Sequence, residues 1–183
     1  MKKAARRPAA KNRTTGFMRV LQRELESQCP DLKWEEPGRP PGIKGDSRCV
    51  DIIGTPSKSS LLPMVLIEVE LRRRSTVKNV VKVWQWADRG HLPDPFILIQ
   101  AFSAFYGTRE GKGDRADAEF IGSAMAATLG DRCRYESEFK FPYRPKEHSK
   151  KGGGARDKQA KKFAAEVKEV LDRDWLKAAA AEA

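Results

Sequence analysis

The sequence predicts an α/β fold in which one mixed sheet is flanked by helices. Segments 64–71 and 94–102 are rich enough in apolar residues to form buried strands. The intervening segment, 76–90, has the amphipathic spacing of a helix. Through residue 102 the predicted order is therefore helix, strand, strand, strand, helix, strand (αβββαβ), and a further helix is predicted at the C-terminus.

The elements before residue 64 follow from local spacing and from chain breakers. Apolar residues recur at helical intervals over 17–28, which predicts the first helix. Short strands are predicted over 31–36 and 47–54, on either side of a loop rich in Pro and Gly. Alternation in the second of these strands predicts that Val50 and Ile52 share one face, while the acid between them lies on the other.

Segment 64–71, "MVLIEVEL", is the most regular strand pattern in the chain. One face is wholly apolar and comprises Val65, Ile67, Val69 and Leu71. The other face carries Leu66, Glu68 and Glu70. The two carboxylates would lie about 7 Å apart, where they repel each other unless a cation or water screens them. They indicate either a metal site or the solvated side of a strand.

The helix after this strand is predicted to begin near Thr76 and to end at Gly90. Its apolar stripe comprises Val77, Val80, Val81 and Trp84. A second, polar stripe comprises Lys78, Lys82, Gln85 and Arg89. These polar residues recur at helical intervals, so we expect them to form one continuous face.

The chain is long enough for one domain with its own core. It divides into a basic arm (1–15), an α/β domain (16–144), a linker (145–156) and a C-terminal amphipathic helix (157–183). The apolar stripe of the last helix predicts that it docks on its own domain. Within the α/β domain, the alternating segment 132–141 predicts an edge strand.

The charge of the chain favours a polyanionic partner. The formal net charge is +11, from 36 Lys and Arg against 25 Asp and Glu, which is typical of proteins that bind nucleic acid. The three cysteines are far apart, which argues against a structural zinc site and favours a reducing, cytoplasmic compartment, including association with the nucleoid. No apolar run approaches the roughly 18 residues that span a bilayer, so no membrane partner is expected.

The acids of the strands lie in an order that resembles a known nuclease core. Asp51 lies on the second predicted strand and the pair "EVE" on the third, ahead of an amphipathic helix and a buried fourth strand. Over about residues 17–102 this arrangement resembles the PD-(D/E)xK nuclease superfamily, which has the restriction-endonuclease-like fold. That family has the core order αβββαβ, a first acid on the second strand and the (D/E)xK motif on the third. Glu70 stands where the family has lysine.

The resemblance implies a nuclease that hydrolyses phosphodiester bonds with Mg²⁺, for which Mn²⁺ can substitute. Asp51 and Glu68 would be metal ligands. Glu70 would be a further metal ligand or a base, as in family members that carry glutamate at this position. Glu24, on the first helix, would be the accessory acid that many members place there, with Glu26 as its alternative.

The resemblance also requires a replacement for the missing lysine. Lys82 is preferred to Lys78, because a position one turn further along the helix lets its side chain reach back over the strand ends. Arg72 would lie on the same face of the strand as Glu68 and Glu70. A third alignment with the family motif therefore pairs Glu70 with Arg72, which puts a planar guanidinium where the family has the point charge of a lysine. The remaining alternative is a catalytically inactive protein that keeps the nuclease fold and binds nucleic acid through its basic surface.

The basic residues around the predicted site favour contacts to phosphates over contacts to bases. The candidate nucleic-acid-binding residues are Arg72, Arg73, Arg74, Lys78, Lys82 and Gln85. DNA is the favoured polymer. A homodimer would allow concerted cleavage of both strands, although no segment requires one. A more distant alternative is a basic adaptor that binds protein partners through its terminal helix.

Overall fold

The computed structural model describes residues 13–40, 43, 48–57, 62–71, 76–141 and 153–181. Several predictions fall elsewhere in the chain. The basic arm up to residue 12, the linker over 145–152, and Arg72, Arg73 and Arg74 all lie outside the described residues.

Four helices and six strands make up the described fold. The helices are α1 (Arg13–Gln28), α2 (Thr76–Asp88), α3 (Lys112–Leu129) and α4 (Gly153–Ala181). The strands are β1 (Leu32–Glu35), β2 (Ile52–Pro56), β3 (Met64–Glu70), β4 (Phe96–Ser103), β5 (Cys133–Glu136) and β6 (Lys140–Phe141). The predicted order of elements through β4 is therefore observed.

The strands form one mixed sheet in the order β1-β2-β3-β4-β5, with β6 paired to β4. The first three strands are antiparallel neighbours, whereas β3, β4 and β5 run parallel. α2 connects β3 to β4 and α3 connects β4 to β5, as parallel pairing requires. The α/β class and the mixed sheet flanked by helices are confirmed.

Helices cover both faces of the sheet, and the two larger apolar cores lie on opposite faces, beside a third, small cluster of Phe102, Tyr106 and Ala118. One core lies between the sheet and the pair α1 and α4, and the other lies between the sheet and the pair α2 and α3. In β3, Val65, Ile67 and Val69 belong to the first core and Leu66 to the second. Strand alternation therefore turns the carboxylates of β3 toward α2, inside the protein and not toward water.

The predicted strand over 47–54 is wrong in its start and in its faces. β2 begins only at Ile52, while Val50 makes an isolated bridge with Gly38. Val50 and Ile52 lie in opposite cores. The physical reason is a bend at Asp51, which interrupts the alternation on which the prediction depended.

The predicted stripes of α2 also need correction. Val81 is 36% exposed, whereas Lys82 is only 6% exposed. The buried apolar residues of this helix are Val80, Val83, Trp86 and Ala87. The prediction placed Lys82 in one polar stripe with exposed residues, whereas a carboxylate on the sheet gives its ammonium a partner inside the protein.

The first and last helices begin earlier than their predicted segments. α1 begins at Arg13, inside the predicted arm, and α4 begins at Gly153, inside the predicted linker. Phe163 and Val167 of α4 are buried in the core shared with α1, so the terminal helix docks on its own domain as predicted.

Two smaller features complete the fold. The predicted strand over 132–141 is divided into β5 and β6, both of which pair with β4.

Within the described part of the chain, every helix is too short or too polar to cross a membrane.

Candidate metal and nucleic-acid site

Asp51 lies at the bend before β2, beside the carboxyl-terminal half of β3. Its Oδ2 accepts a hydrogen bond from the main-chain N–H of Val69 at 2.8 Å. The antiparallel register pairs Ile52 with Ile67, so that the chain at Asp51 comes alongside Glu68. The bend and the hydrogen bond together hold this carboxylate at the edge where β3 presents its own acids.

Glu68 of β3 and Lys82 of α2 form a buried ion pair. The distance from Lys82 Nζ to Glu68 Oε1 is 2.5 Å. Lys82 Nζ also donates to the main-chain oxygen of Cys49 at 2.7 Å and lies 5.6 Å from the centre of the Trp86 ring. The structure thus brings together the strand acid and the helix lysine that the sequence analysis assigned to one site.

The electrostatic environment of Glu68 opposes its ionisation. Burial, as the largest cause, raises the pKa of its carboxyl to about 8, and the charges of Asp51 and Glu70 act in the same direction. Lys82 lowers the pKa of Glu68 but does not cancel the other effects. Three carboxylates therefore interact across this edge, and an additional cation there would be stabilised by them.

Glu70 is 1% exposed and faces the start of α2. Its Oε1 accepts hydrogen bonds from Asn79 Nδ2 at 2.7 Å and from Gln100 Nε2 at 2.9 Å. Gln100 is in turn bonded by the hydroxyl of Tyr135 at 2.8 Å. Glu70 therefore belongs to a polar network inside the protein.

Gln100, Tyr135 and Glu36 were not identified from the sequence as site residues. Gln100 is the polar residue in the apolar strand "FILIQAF", a signal that the sequence offered. The roles of Tyr135 and Glu36 depend on tertiary contacts. Burial raises the pKa of Glu36, the charge of Asp51 raises it further, and Arg19 lowers it.

The two acids predicted on α1 lie away from these groups. α1 packs on the sheet face opposite α2, and Glu24 Oε2 accepts a hydrogen bond from Gln28 Nε2 at 3.4 Å. Gln28 also donates to the main-chain oxygen of Lys161 on α4 at 3.3 Å. Glu26 is exposed and bonded by Gln22. Glu24 thus lies in the layer of α4, whereas Glu68 faces α2.

An open groove of about 470 Å³ lies beside Lys82. It is lined by Arg48, Cys49, Lys78, Asn79, Val81, Lys82 and Gln85. Arg48 Nη1 donates to Gln85 Oε1 at 2.8 Å, and its guanidinium lies 5.8 Å from the centre of the Trp86 ring. None of the described residues that line the groove is acidic, so it suits an anion such as a phosphate.

The carboxylates fit a hard divalent cation in their chemistry. Among the residues that the structure describes, no three His, Cys, Asp or Glu side chains are placed to hold a metal ion together. Mg²⁺ in proteins commonly takes one or two carboxylates and completes its shell with water and substrate phosphate. Asp51 and Glu68 match that donor set.

The comparisons with known proteins do not assign this site. No protein-family model, curated protein or solved structure matches the chain. The geometry around Glu68 and Lys82 is therefore the main indication of function in this chain.

Proposed function

We propose that the chain is a Mg²⁺-dependent nuclease of the restriction-endonuclease-like fold, with DNA as its favoured substrate and Mn²⁺ as a substitute metal. The observation that carries the proposal is the meeting of Asp51, Glu68 and Lys82 at one edge of the sheet. They come from a bend, a strand and a helix that are distant in sequence. A solvated strand face would not produce that convergence.

The topology around these residues supports the proposal. The acids lie at β2 and β3, and α2 returns the chain to a parallel β4, as in the family that the sequence resembles. Lys82, on the helix, supplies the positive charge that the family's lysine supplies from the strand. This explains how a site with glutamate at the lysine position could retain activity.

The chemistry assigns each residue a task. Asp51 and Glu68 would hold the metal, with the main-chain carbonyl of Val69 as a further oxygen beside them. A bound Mg²⁺ would lower the pKa of a coordinated water and stabilise negative charge on the phosphate. Lys82 holds a positive charge within hydrogen-bonding distance of Glu68, where it can stabilise charge that develops on a phosphate.

The groove supplies contacts for the nucleic-acid backbone. Lys78 is exposed at its rim, and Arg48 and Gln85 are joined by a hydrogen bond along its wall. These side chains would bind phosphate oxygens and carry little sequence information. The predicted contacts at Arg72, Arg73 and Arg74 stay part of the proposal, although they lie outside the described residues.

The test is cleavage of a substrate panel in Mg²⁺ and in Mn²⁺. The panel contains supercoiled plasmid, linear duplex DNA, single-stranded DNA and RNA. We expect Asp51→Asn to reduce cleavage about 100-fold or more, and we expect the matched surface variant Asp131→Asn to cleave like the wild type.

Two outcomes would reject the proposal. Cleavage that survives both Asp51→Asn and Glu68→Gln would show that the site lies elsewhere. Absence of cleavage, with binding to DNA that weakens steeply as salt rises, would support the catalytically inactive binding protein instead.

A further inference from the structure

A chain of hydrogen bonds crosses three neighbouring strands on the sheet face that α2 and α3 cover. The hydroxyl of Tyr135 on β5 donates to Gln100 Oε1 on β4 at 2.8 Å. Gln100 Nε2 donates to Glu70 Oε1 on β3 at 2.9 Å. Gln100 is fully buried and Glu70 nearly so, so the two groups interact in a medium where hydrogen bonds are strong.

This chain ends on the first turn of α2. Gln100 Nε2 also donates to the main-chain oxygen of Thr76 at 3.0 Å, and Asn79 Nδ2 donates to Glu70 Oε1 at 2.7 Å. With two donors and one acceptor engaged, the Gln100 amide has one favourable orientation. A carboxylate near the start of a helix is also favoured by the helix dipole. The beginning of α2 is thus fixed to β3 and β4 by side chains.

The position of that first turn determines where Lys82 lies. Lys82 follows on the same helix, and its Nζ is 3.4 Å from Asn79 Oδ1 and 2.5 Å from Glu68 Oε1. A shift of α2 along the sheet would therefore move the ammonium away from Glu68. The network and the ion pair are joined by the helix backbone as well as by Asn79.

We propose that Glu70 is a positioning residue: with Gln100 and Tyr135 it fixes the start of α2 and thereby the ammonium of Lys82. This rests on the proposed nuclease site of Asp51, Glu68 and Lys82. It gives Glu70 a different role from the metal ligand or base that the sequence suggested. Asn79 and Gln100 both donate to the same oxygen of Glu70, Oε1, so the amide oxygen of a glutamine at this position would preserve these two hydrogen bonds.

The first experiment measures the placement of Lys82 without metal or substrate. The metal-free protein is treated with an amine-acylating reagent, and modification of Lys82 is quantified by mass spectrometry against the exposed Lys161. We expect Glu70→Ala, Asn79→Ala and Gln100→Leu to increase modification of Lys82 at least fivefold relative to Lys161. We expect Glu70→Gln to remain within twofold of the wild type.

The second experiment measures kcat and KM for the best substrate of the panel. Substitution of a residue that orients a catalytic group without touching the substrate typically lowers activity about 10- to 100-fold. We expect losses of that size in kcat for Glu70→Ala and Gln100→Leu. Glu70→Gln should retain kcat within threefold, since it keeps the acceptor oxygen. Far-ultraviolet circular dichroism and thermal melts confirm that each variant is folded.

Either of two results would overturn the inference. In the first result, Glu70→Gln is as inactive as Glu70→Ala while the modification of Lys82 stays at the wild-type level. That result would show that Glu70 acts directly through its charge. Unchanged modification of Lys82 in all three disruptive variants would show that the network does not position it. If the wild type cleaves no substrate, the proposed function fails, and the acylation result alone decides the positioning role.

Discussion

Lys82 and Glu68 are joined by a 2.5 Å ion pair inside the protein, although they come from α2 and β3 and lie 14 residues apart. The side chains are only 7% and 2% exposed, so solvent screens the pair weakly. A buried pair contributes little net stability, because desolvation of both charges offsets their attraction. Loss of one partner, however, leaves an uncompensated charge in the interior, which has measurable consequences.

Removal of Lys82 should destabilise the fold. We expect Lys82→Met to lower the free energy of unfolding by about 3 kcal/mol at pH 9, above the pKa of about 8 of Glu68, because its ionised carboxylate would then lose the partner that stabilises it. Urea denaturation followed by circular dichroism measures this change. The exposed Lys161→Met is the matched control and should lie within about 0.5 kcal/mol of the wild type.

The double variant Glu68→Gln/Lys82→Met separates loss of a charge from loss of packing. Because it leaves neither charge unpaired, it should recover at least half of the stability that Lys82→Met loses. A Lys82→Met variant as stable as Lys161→Met would contradict the observed burial of this pair.

The stability of the metal-free protein should fall as pH rises. The pKa of Glu68 is raised from its ordinary value of 4.5 to about 8, because burial and neighbouring acids oppose its ionisation. The folded state therefore holds this proton more tightly than the unfolded state does. The resulting stability is fully present below pH 4.5 and is lost as pH rises through 8.

Glu68→Gln is the comparison that isolates this effect, since glutamine does not titrate. Urea unfolding in EDTA at intervals from pH 5 to 9 should give a wild-type curve that declines more steeply than the variant curve. Parallel curves would show that Glu68 has an ordinary pKa in the folded protein.

Gly122 on α3 should tolerate no side chain. A Cβ at this position would lie 2.3 Å from Cζ of Tyr135, so the aromatic ring would have to move. Gly122→Ala should destabilise the protein by about 1–3 kcal/mol, the usual cost of overpacking. Gly113→Ala, on the same helix with no atom near its Cβ, should instead be neutral or stabilising by up to about 1 kcal/mol. Equal melting temperatures for the two variants would refute the packing of α3 on Tyr135.

The three cysteines should differ in reactivity. Burial raises the pKa of Cys29 to about 11 and that of Cys133 to about 12, and the thiolate is the reactive form. Cys49 is exposed and lines the groove. Iodoacetamide at pH 8 should therefore modify Cys49 first, and Cys49→Ser should abolish the fast reaction.

The same reaction reports on the groove. An oligonucleotide at saturating concentration should slow modification of Cys49, whereas a neutral polymer such as dextran should have no effect. Modification at an unchanged rate with bound oligonucleotide would place the nucleic acid elsewhere on the surface.

Local patterns in the sequence predicted the parts of the fold that depend on local spacing. The alternation of β3 correctly placed Glu68 and Glu70 on one face, and the start of α2 at Thr76 was confirmed. The pattern could not decide whether that face meets water, because the answer depends on α2 packing across it. The bend at Asp51 was likewise invisible, since it depends on pairing of β2 with β3 and on the Val69 hydrogen bond.

The helical spacing placed Lys82 in the polar stripe of α2 but could not show that its side chain is buried. Its partners, Glu68 and the main-chain oxygen of Cys49, come from other elements, so only the tertiary structure reveals why a lysine is buried there. The role of Gln100 similarly depends on the parallel register that sets it beside Glu68. Long-range pairing, which the sequence does not encode locally, completes the candidate site.

The most direct test of the central claim is the rate of Mg²⁺-dependent cleavage by Glu68→Gln compared with Glu169→Gln, a matched surface variant on the opposite layer of the fold. We predict that Glu68→Gln lowers the single-turnover rate about 100-fold or more, while Glu169→Gln leaves it unchanged. Equal rates for wild type, Glu68→Gln and Glu169→Gln would contradict a nuclease site at Glu68 and Lys82.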